Sequence, residues 1–141
     1  MRYHPLILVD SGILFAYYSA RDKYHYQVRS FFERCTSRLI TTPRCITEVM
    51  WLLNADWRTQ NEFLLDVAKE IYECVPLLPQ DFSRIAELNT QYADLPGDFA
   101  DLCLVAISER LDISAIATLD SDFDIYRRYR KQPFERVFLP E

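Results

Sequence analysis

Apolar residues follow two rhythms along this chain. Short continuous runs end or begin near polar punctuation: Leu6-Ile7-Leu8-Val9, Leu39-Ile40-Thr41, Cys74-Val75-Pro76-Leu77, Ala115-Ile116-Ala117-Thr118 and Arg136-Val137-Phe138-Leu139. Such runs suit strands buried on both faces, as in a parallel sheet. Between them, apolar residues return every three or four positions, which is the helical period. This spacing predicts helices over Ser11–Tyr18 and from Asp22, as a cap, to about Arg34, with Tyr26, Val28, Phe31 and Phe32 forming the stripe. Another starts at Thr42-Pro43, where proline is tolerated in the first turn, and turns Ile46, Val49, Met50 and Leu53 inward. Further helices are expected over Glu62–Tyr72, over Pro79–Tyr92 with Phe82, Ile85, Ala86 and Leu88 near one face, and over Asp98–Leu111 with Leu102, Val105, Ala106 and Ile107 as its apolar side. Asp94-Leu95-Pro96-Gly97 breaks the last two apart, and a short helix is expected around Phe123–Arg128. Strands alternating with helices predict an α/β layer fold with a mainly parallel sheet. No linker or repeat interrupts the 141 residues, so the expectation is one domain over 1–141.

Composition narrows the picture. Only two glycines are present, which argues against a glycine-rich phosphate cradle. No apolar run reaches the roughly 18 residues of a membrane span, and the run after Pro5 is too short for a signal peptide. A cytoplasmic protein without a membrane partner is expected. Cys35, Cys45, Cys74 and Cys103 form no C-x-x-C pair and only two histidines accompany them, so zinc is not expected and reduced, buried thiols are. The net charge of −5 argues against a non-specific nucleic-acid-binding module. It argues less against a nuclease, because bound divalent ions reverse the local sign of an acidic site. Arg127-Arg128-Tyr129-Arg130-Lys131 could be a solvated helix end or could touch phosphates.

The acids carry the candidate chemistry. Asp10 closes the first apolar run and Asp120 follows the run ending at Thr118, so both fall at the C-terminal edge of the predicted sheet, where ligands gather in open parallel sheets. Glu48 stands inside one predicted helix beside Val49 and Met50. Asp101 stands inside another beside Leu102, with Asp98 three residues earlier on the same face. An acid beside a core-facing stripe is costly to bury unless paired or metal-bound. Four elements thus direct acids toward one place, and an all-oxygen set suits Mg²⁺ or Mn²⁺. Four of these acids also have a plain alternative: Asp10 and Asp98 as helix caps, Glu48 as a dipole partner near its helix start, Asp120 as a turn residue.

The motifs resemble those of a known family. Leu8-Val9-Asp10-Ser11-Gly12-Ile13-Leu14 is similar to the opening motif of PIN domains, especially the VapC-like toxins of type II toxin–antitoxin pairs. Thr42-Pro43-Arg44-Cys45-Ile46-Thr47-Glu48-Val49 resembles the second motif. Tyr92-Ala93-Asp94-Leu95-Pro96-Gly97-Asp98-Phe99-Ala100-Asp101-Leu102, with Ala106-Ile107-Ser108-Glu109-Arg110-Leu111, resembles the third and is the most specific. Thr118-Leu119-Asp120-Ser121-Asp122-Phe123 resembles the fourth. The resemblance implies a three-layer PIN-like fold, a mainly parallel sheet with helices on both faces, and Mg²⁺- or Mn²⁺-dependent endonuclease cleavage of RNA. By position it implies Asp10, Glu48, Asp101 and Asp120 as catalytic acids and metal ligands, and Asp98 as an additional metal acid. Asp122 competes with Asp120 for the fourth place, and Ser11 matches the small hydroxyl residue after the first aspartate. A small antitoxin as partner and a homodimer are further implications.

One or two metal ions in such a site would activate a water and leave 5′-phosphate and 3′-hydroxyl ends. The absence of a histidine pair for acid–base work points the same way; His25 reads as a surface residue without a catalytic role. Trp51 and Trp57 read as core or partner-interface residues rather than base-stacking platforms. Alternative functions are a non-catalytic PIN-like interaction module, or a solitary RNA-processing nuclease without an antitoxin. A receiver-like or phosphatase-like domain would want an Asp-x-Asp pair after the first strand, and Asp10-Ser11-Gly12 lacks it.

Overall fold

The computed structural model describes residues 3–95 and 98–140. The strands are β1 (Leu6–Val9), β2 (Arg38–Thr41), β3 (Tyr72–Cys74), β4 (Ala115–Ala117), β5 (Arg127–Arg128), β6 (Gln132–Pro133) and β7 (Glu135–Arg136). Five of them form one sheet in the order β3-β2-β1-β4-β7, with every pairing parallel. The short strands β5 and β6 pair antiparallel, apart from that sheet. β1 lies in the middle, where Leu8 pairs with Ile40 on one side and Ile116 on the other.

Because side chains alternate across a strand, each run feeds two cores. Leu8, Ile40 and Ile116 face the layer that contains α5 (Pro79–Gln91) and α6 (Phe99–Arg110). Ile7, Val9, Leu39, Ala115 and Ala117 face the other layer, built from α1 (Ser11–Tyr18), α2 (His25–Arg34), α3 (Pro43–Leu52) and α4 (Trp57–Ala68). The expected three-layer α/β arrangement, with helices on both faces of a parallel sheet, is what the chain adopts. α6 is unusual among the helices: every residue from Ala100 to Ser108 is buried. A helix that is apolar around its whole circumference belongs inside.

Several element boundaries differ from those the sequence predicts, each for a local reason. The second helix starts at His25, not at an Asp22 cap; the Asp22 carboxylate instead accepts from Tyr24 N (2.8 Å) in the preceding turn. The fourth helix runs from Trp57 to Ala68 rather than Glu62 to Tyr72. Asp56 caps its start by accepting from Arg58 N (2.9 Å), and Glu70 leaves the helical region with φ 60° just after its end. Tyr72 is therefore a strand residue, and β3 occupies Tyr72–Cys74 instead of Cys74–Leu77, opposite Leu39–Thr41. The helix expected over Phe123–Arg128 is a 3-10 turn at Ser121–Asp124 followed by β5. The last strand is Glu135–Arg136, two residues long, and not Arg136–Leu139. Pro96 and Gly97, the expected helix break, lie outside the described residues.

Side-chain placement also corrects some expectations. Phe82 is exposed, so only Ile85 and Leu88 of the predicted α5 face are core residues. Trp51 (73% exposed) and Trp57 (60%) are not in the core. Cys45 and Cys103 are buried and Cys35 is half-buried, but Cys74 is exposed; all four are free. The basic run 127–131 is not a helix end. Arg128 is buried, donating to Ser108 O (3.1 Å) and Asp112 (3.0 Å), and Arg127 folds back on Asp124 O (2.7 Å). Arg130 and Lys131 stay exposed. Among the described residues no helix is long and apolar enough to cross a membrane.

The central helix carries a stability prediction. Leu104 is fully buried in α6. Leu104→Ala should lower unfolding free energy by about 2–5 kcal/mol, the range for opening a cavity in a packed core. Urea denaturation checks it, and a loss below about 1 kcal/mol would mean α6 is not the packing centre described.

Candidate functional site

Asp10 leaves the C-terminal end of β1 and caps α1. One carboxylate oxygen accepts from Ile13 N (3.0 Å), and the other accepts from the Thr118 hydroxyl just beyond β4. The Thr118 hydroxyl oxygen also accepts from Asp120 N (2.9 Å), and Asp120 in turn accepts from Asp122 N (2.8 Å). A chain of short-range bonds thus ties the first strand end to the loop after β4. The helix-cap reading of Asp10 and the turn reading of Asp120 are both correct. The caps leave each acid free to face the same opening.

Asp98 is the N-cap of α6, accepting from Ala100 N (3.2 Å), and Asp101 occupies the first turn. Asp10, Ser11, Gly12, Asp98, Asp101, Leu119, Asp120 and Asp122 line one open pocket of about 370 Å³. Within it Asp101, Asp120 and Asp122 each offer a carboxylate oxygen, all within 4.8 Å of one another. Asp120 and its alternative Asp122 thus both lie in this group. Glu48 stands in α3 at the side of this group. It accepts from the Ser11 hydroxyl (2.6 Å) and lies 3.5 Å from the half-exposed Arg44 guanidinium.

The electrostatics are those of acids gathered with little counter-charge, since Arg44 beside Glu48 and the field of Arg136 at Asp10 offset only part of the burial cost. Burial pushes the Asp10 carboxyl up to about 6 against the pull of the Thr118 and Ile13 hydrogen bonds. Asp101 is pushed up to about 8, first by burial and then by the fields of Asp120 and Asp10. Glu48 is also raised by burial, against the opposing Ser11 hydroxyl, and the nearby Asp98 adds to the rise. A cation placed among these groups would restore their charged forms. The donor set is all oxygen, and three of its atoms already stand close enough to share one ion. These residues fit a hard divalent cation.

A family model described as PIN domain matches residues 7–129. The chain belongs to the PIN domain family. No curated protein sequence matches it. Among solved structures, it is similar to Mycobacterium tuberculosis VapC20, described as a sarcin–ricin-loop-cleaving toxin. That match has a TM-score of 0.77 and 16% identity, covering 84% of this chain and 93% of that one. It is also similar to VapBC2 from Rickettsia felis, solved bound to a DNA fragment from their promoter, with a TM-score of 0.64 and 13% identity over 93% of this chain and 98% of that one. At such identities the likeness is one of fold.

Of the five acids singled out from the sequence of this PIN domain, Asp10, Asp98, Asp101 and Asp120 line the pocket, and Glu48 stands beside it, in contact with Ser11 and in the field of Asp98. Sequence reasoning missed Thr118 and Arg44. Thr118 could have been noticed as the hydroxyl residue closing the fourth apolar run; Arg44, four residues before Glu48, as a helical ion-pair partner. Both histidines lie elsewhere and are buried. His25 Nδ1 is 2.8 Å from Ala16 O, and His4 Nε2 is 2.8 Å from Glu135, so the surface reading of His25 is wrong.

The raised carboxyls give a pH prediction. A carboxyl with a folded pKa above its unfolded value of about 4 binds its proton more tightly in the folded chain. Its stabilising contribution is complete below about pH 4 and is lost as pH rises through about 6 for Asp10 and about 8 for Asp101. In chelator, the thermal midpoint should fall between pH 5 and pH 8, and Asp101→Asn should flatten the part of that fall above pH 6. A wild-type midpoint that rises across this range would contradict the assignment.

Proposed function

We propose that this PIN domain is a Mg²⁺- or Mn²⁺-dependent endoribonuclease and the toxin of a toxin–antitoxin pair. The observation that carries the proposal is the cluster of Asp101, Asp120 and Asp122 beside Asp10, at the C-terminal edge of a parallel sheet. In this reading Asp10, Glu48, Asp101 and Asp120 are the catalytic acids. They hold the cation together with Asp98, and Asp122 joins them. A bound divalent cation would supply positive charge to activate a water and to stabilise the phosphorane-like transition state, where electrostatics contributes most.

The chain's own residues do the rest. Thr118 and the Ile13 N–H fix the Asp10 carboxylate, so its orientation does not depend on the substrate. Ser11 and Arg44 orient Glu48 in the same way. The pocket is open, which admits a nucleic-acid backbone rather than enclosing a small molecule. Arg44, Arg130 and Lys131 are exposed cations available to phosphates. Neither histidine is placed for acid–base work at the pocket, so the RNA 2′-hydroxyl has no histidine base to activate it. Water is then the nucleophile, and the ends are 5′-phosphate and 3′-hydroxyl.

The fold neighbours support a toxin role: one is described as a toxin that cleaves the sarcin–ricin loop, and the other is a VapBC pair. By the same argument the partner is a small antitoxin, with an arginine suited to pair with the carboxylates; a homodimer and a cytoplasmic location are implied by the family resemblance alone. Exposed Trp51, Leu52 and Trp57 offer apolar area for a protein partner.

RNA should be cut in Mg²⁺ or Mn²⁺ and not in chelator, with end-group analysis finding 5′-phosphate. Cyclic 2′,3′-phosphate ends would exclude this chemistry. Asp10→Asn should lower the rate by about 100-fold or more, on the scale of losing one transition-state-stabilising group, while circular dichroism stays unchanged. Retained cleavage with tight Mg²⁺ binding in that variant would remove Asp10 from the set.

A further inference from the structure

Tyr126 heads the largest side chains that are fully buried among the described residues, and its hydroxyl has no hydrogen-bond partner there. Buried polar groups are almost always paired, so an unpaired one calls for an explanation. The position of the ring is well determined. Tyr126 N donates to Asp122 O (3.0 Å), one turn after an acid of the cluster. The ring meets Phe123 edge-on at 5.3 Å between centroids and Tyr92 at 5.1 Å. The neighbouring tyrosine is different, because the Tyr92 hydroxyl accepts from Arg127 N (2.7 Å).

The acid side of the pocket shows the complementary deficit. Asp10, Glu48, Asp98 and Asp120 each accept a hydrogen bond from a named donor. Asp101 is as buried as any of them except Asp10, yet among the described residues nothing donates to its carboxylate. Burial first, and then the fields of Asp101, Asp122, Asp120 and Asp98, hold the proton on the Tyr126 phenol. A buried donor without an acceptor thus lies in the same core as Ala100 and Leu102, and between those two residues Asp101 is a buried acceptor without a donor among the described residues.

We propose that Tyr126 is a positioning residue for the acid cluster, its hydroxyl donating to the Asp101 carboxylate through one buried water and so setting which oxygen faces a bound divalent cation. The inference rests on the reading of the cluster as a cation site. Donors behind a ligating carboxylate orient it, and their removal costs about 10–100-fold in metal affinity. A water bridging the two would itself be held by polar groups at both ends.

The test is Mn²⁺ titration of the full chain, with free Mn²⁺ followed by electron paramagnetic resonance. Tyr126→Phe should leave the metal-free thermal midpoint close to that of the wild type, because the ring keeps its packing against Phe123 and Tyr92. Its Mn²⁺ Kd should rise about 10-fold. Tyr92→Phe is the control: it removes a paired hydroxyl from the same wall, and should lower the midpoint while leaving Mn²⁺ affinity unchanged. If Tyr126→Phe binds Mn²⁺ within twofold of wild type, the positioning role is overturned and the cation site stands. If both variants weaken binding alike, loosened packing explains the effect and the role is again overturned. A wild type that binds no Mn²⁺ overturns the cation reading and this inference together.

Discussion

A helix apolar on every side must be surrounded, and α6 is the element that imposes this condition on the rest. From Ala100 to Ser108 it exposes almost nothing, so α5, the turn at Phe123, Tyr126 and one face of the sheet close around it. That packing fixes the direction of its axis, and its first turn is thereby placed at the C-terminal edge of β1 and β4. Asp98 caps this turn and Asp101 lies inside it. An acid near a helix N-terminus is favoured by the helix dipole, which offsets a part of the cost of burying Asp101 beside other carboxylates.

Gathering these carboxylates has a cost that the surrounding groups share out unequally. Asp10 receives two hydrogen bonds that pull its proton affinity down, Glu48 receives one from Ser11 and has Arg44 nearby, and Asp101 receives none from the described residues. The residue with the least help has the most strongly raised carboxyl. Clusters of this kind trade stability of the empty protein for affinity toward a cation, since the repulsion that destabilises one is relieved by the other. Thr118 is central to the arrangement: its hydroxyl donates to Asp10 and its oxygen accepts from Asp120 N, which ties the end of β1 to the loop after β4.

The legible parts of the fold were those set by burial on two faces. Leu6–Val9 and Ala115–Ala117 could be read as strands because nothing polar interrupts them, and Asp98–Leu111 as a helix because its pattern is long and begins with a cap. The boundaries that shifted were decided by single local bonds that periodicity does not register. Asp22, the expected cap, does not cap the second helix because Tyr24 directly precedes it, whereas Asp56, not singled out by the sequence pattern, caps the fourth. The exposed Trp51, Trp57 and Phe82 mark another boundary of sequence reasoning, since apolar character alone does not say which face of a helix finds a partner.

By itself the sequence determined the alternation of buried strands and helices, the order of the acids, and their placement at strand ends and helix starts, because these follow from local periodicity and capping chemistry. Tertiary structure alone decided how close the acids come. It joined Asp122 to Asp101 and Asp120, set Glu48 to one side behind Ser11, and turned Arg128 inward. It also left the Tyr126 hydroxyl without a partner beside the cluster. The reason is physical: hydrogen-bond and Coulomb energies depend on distances between elements far apart in the chain, and those distances exist only once the two cores have packed.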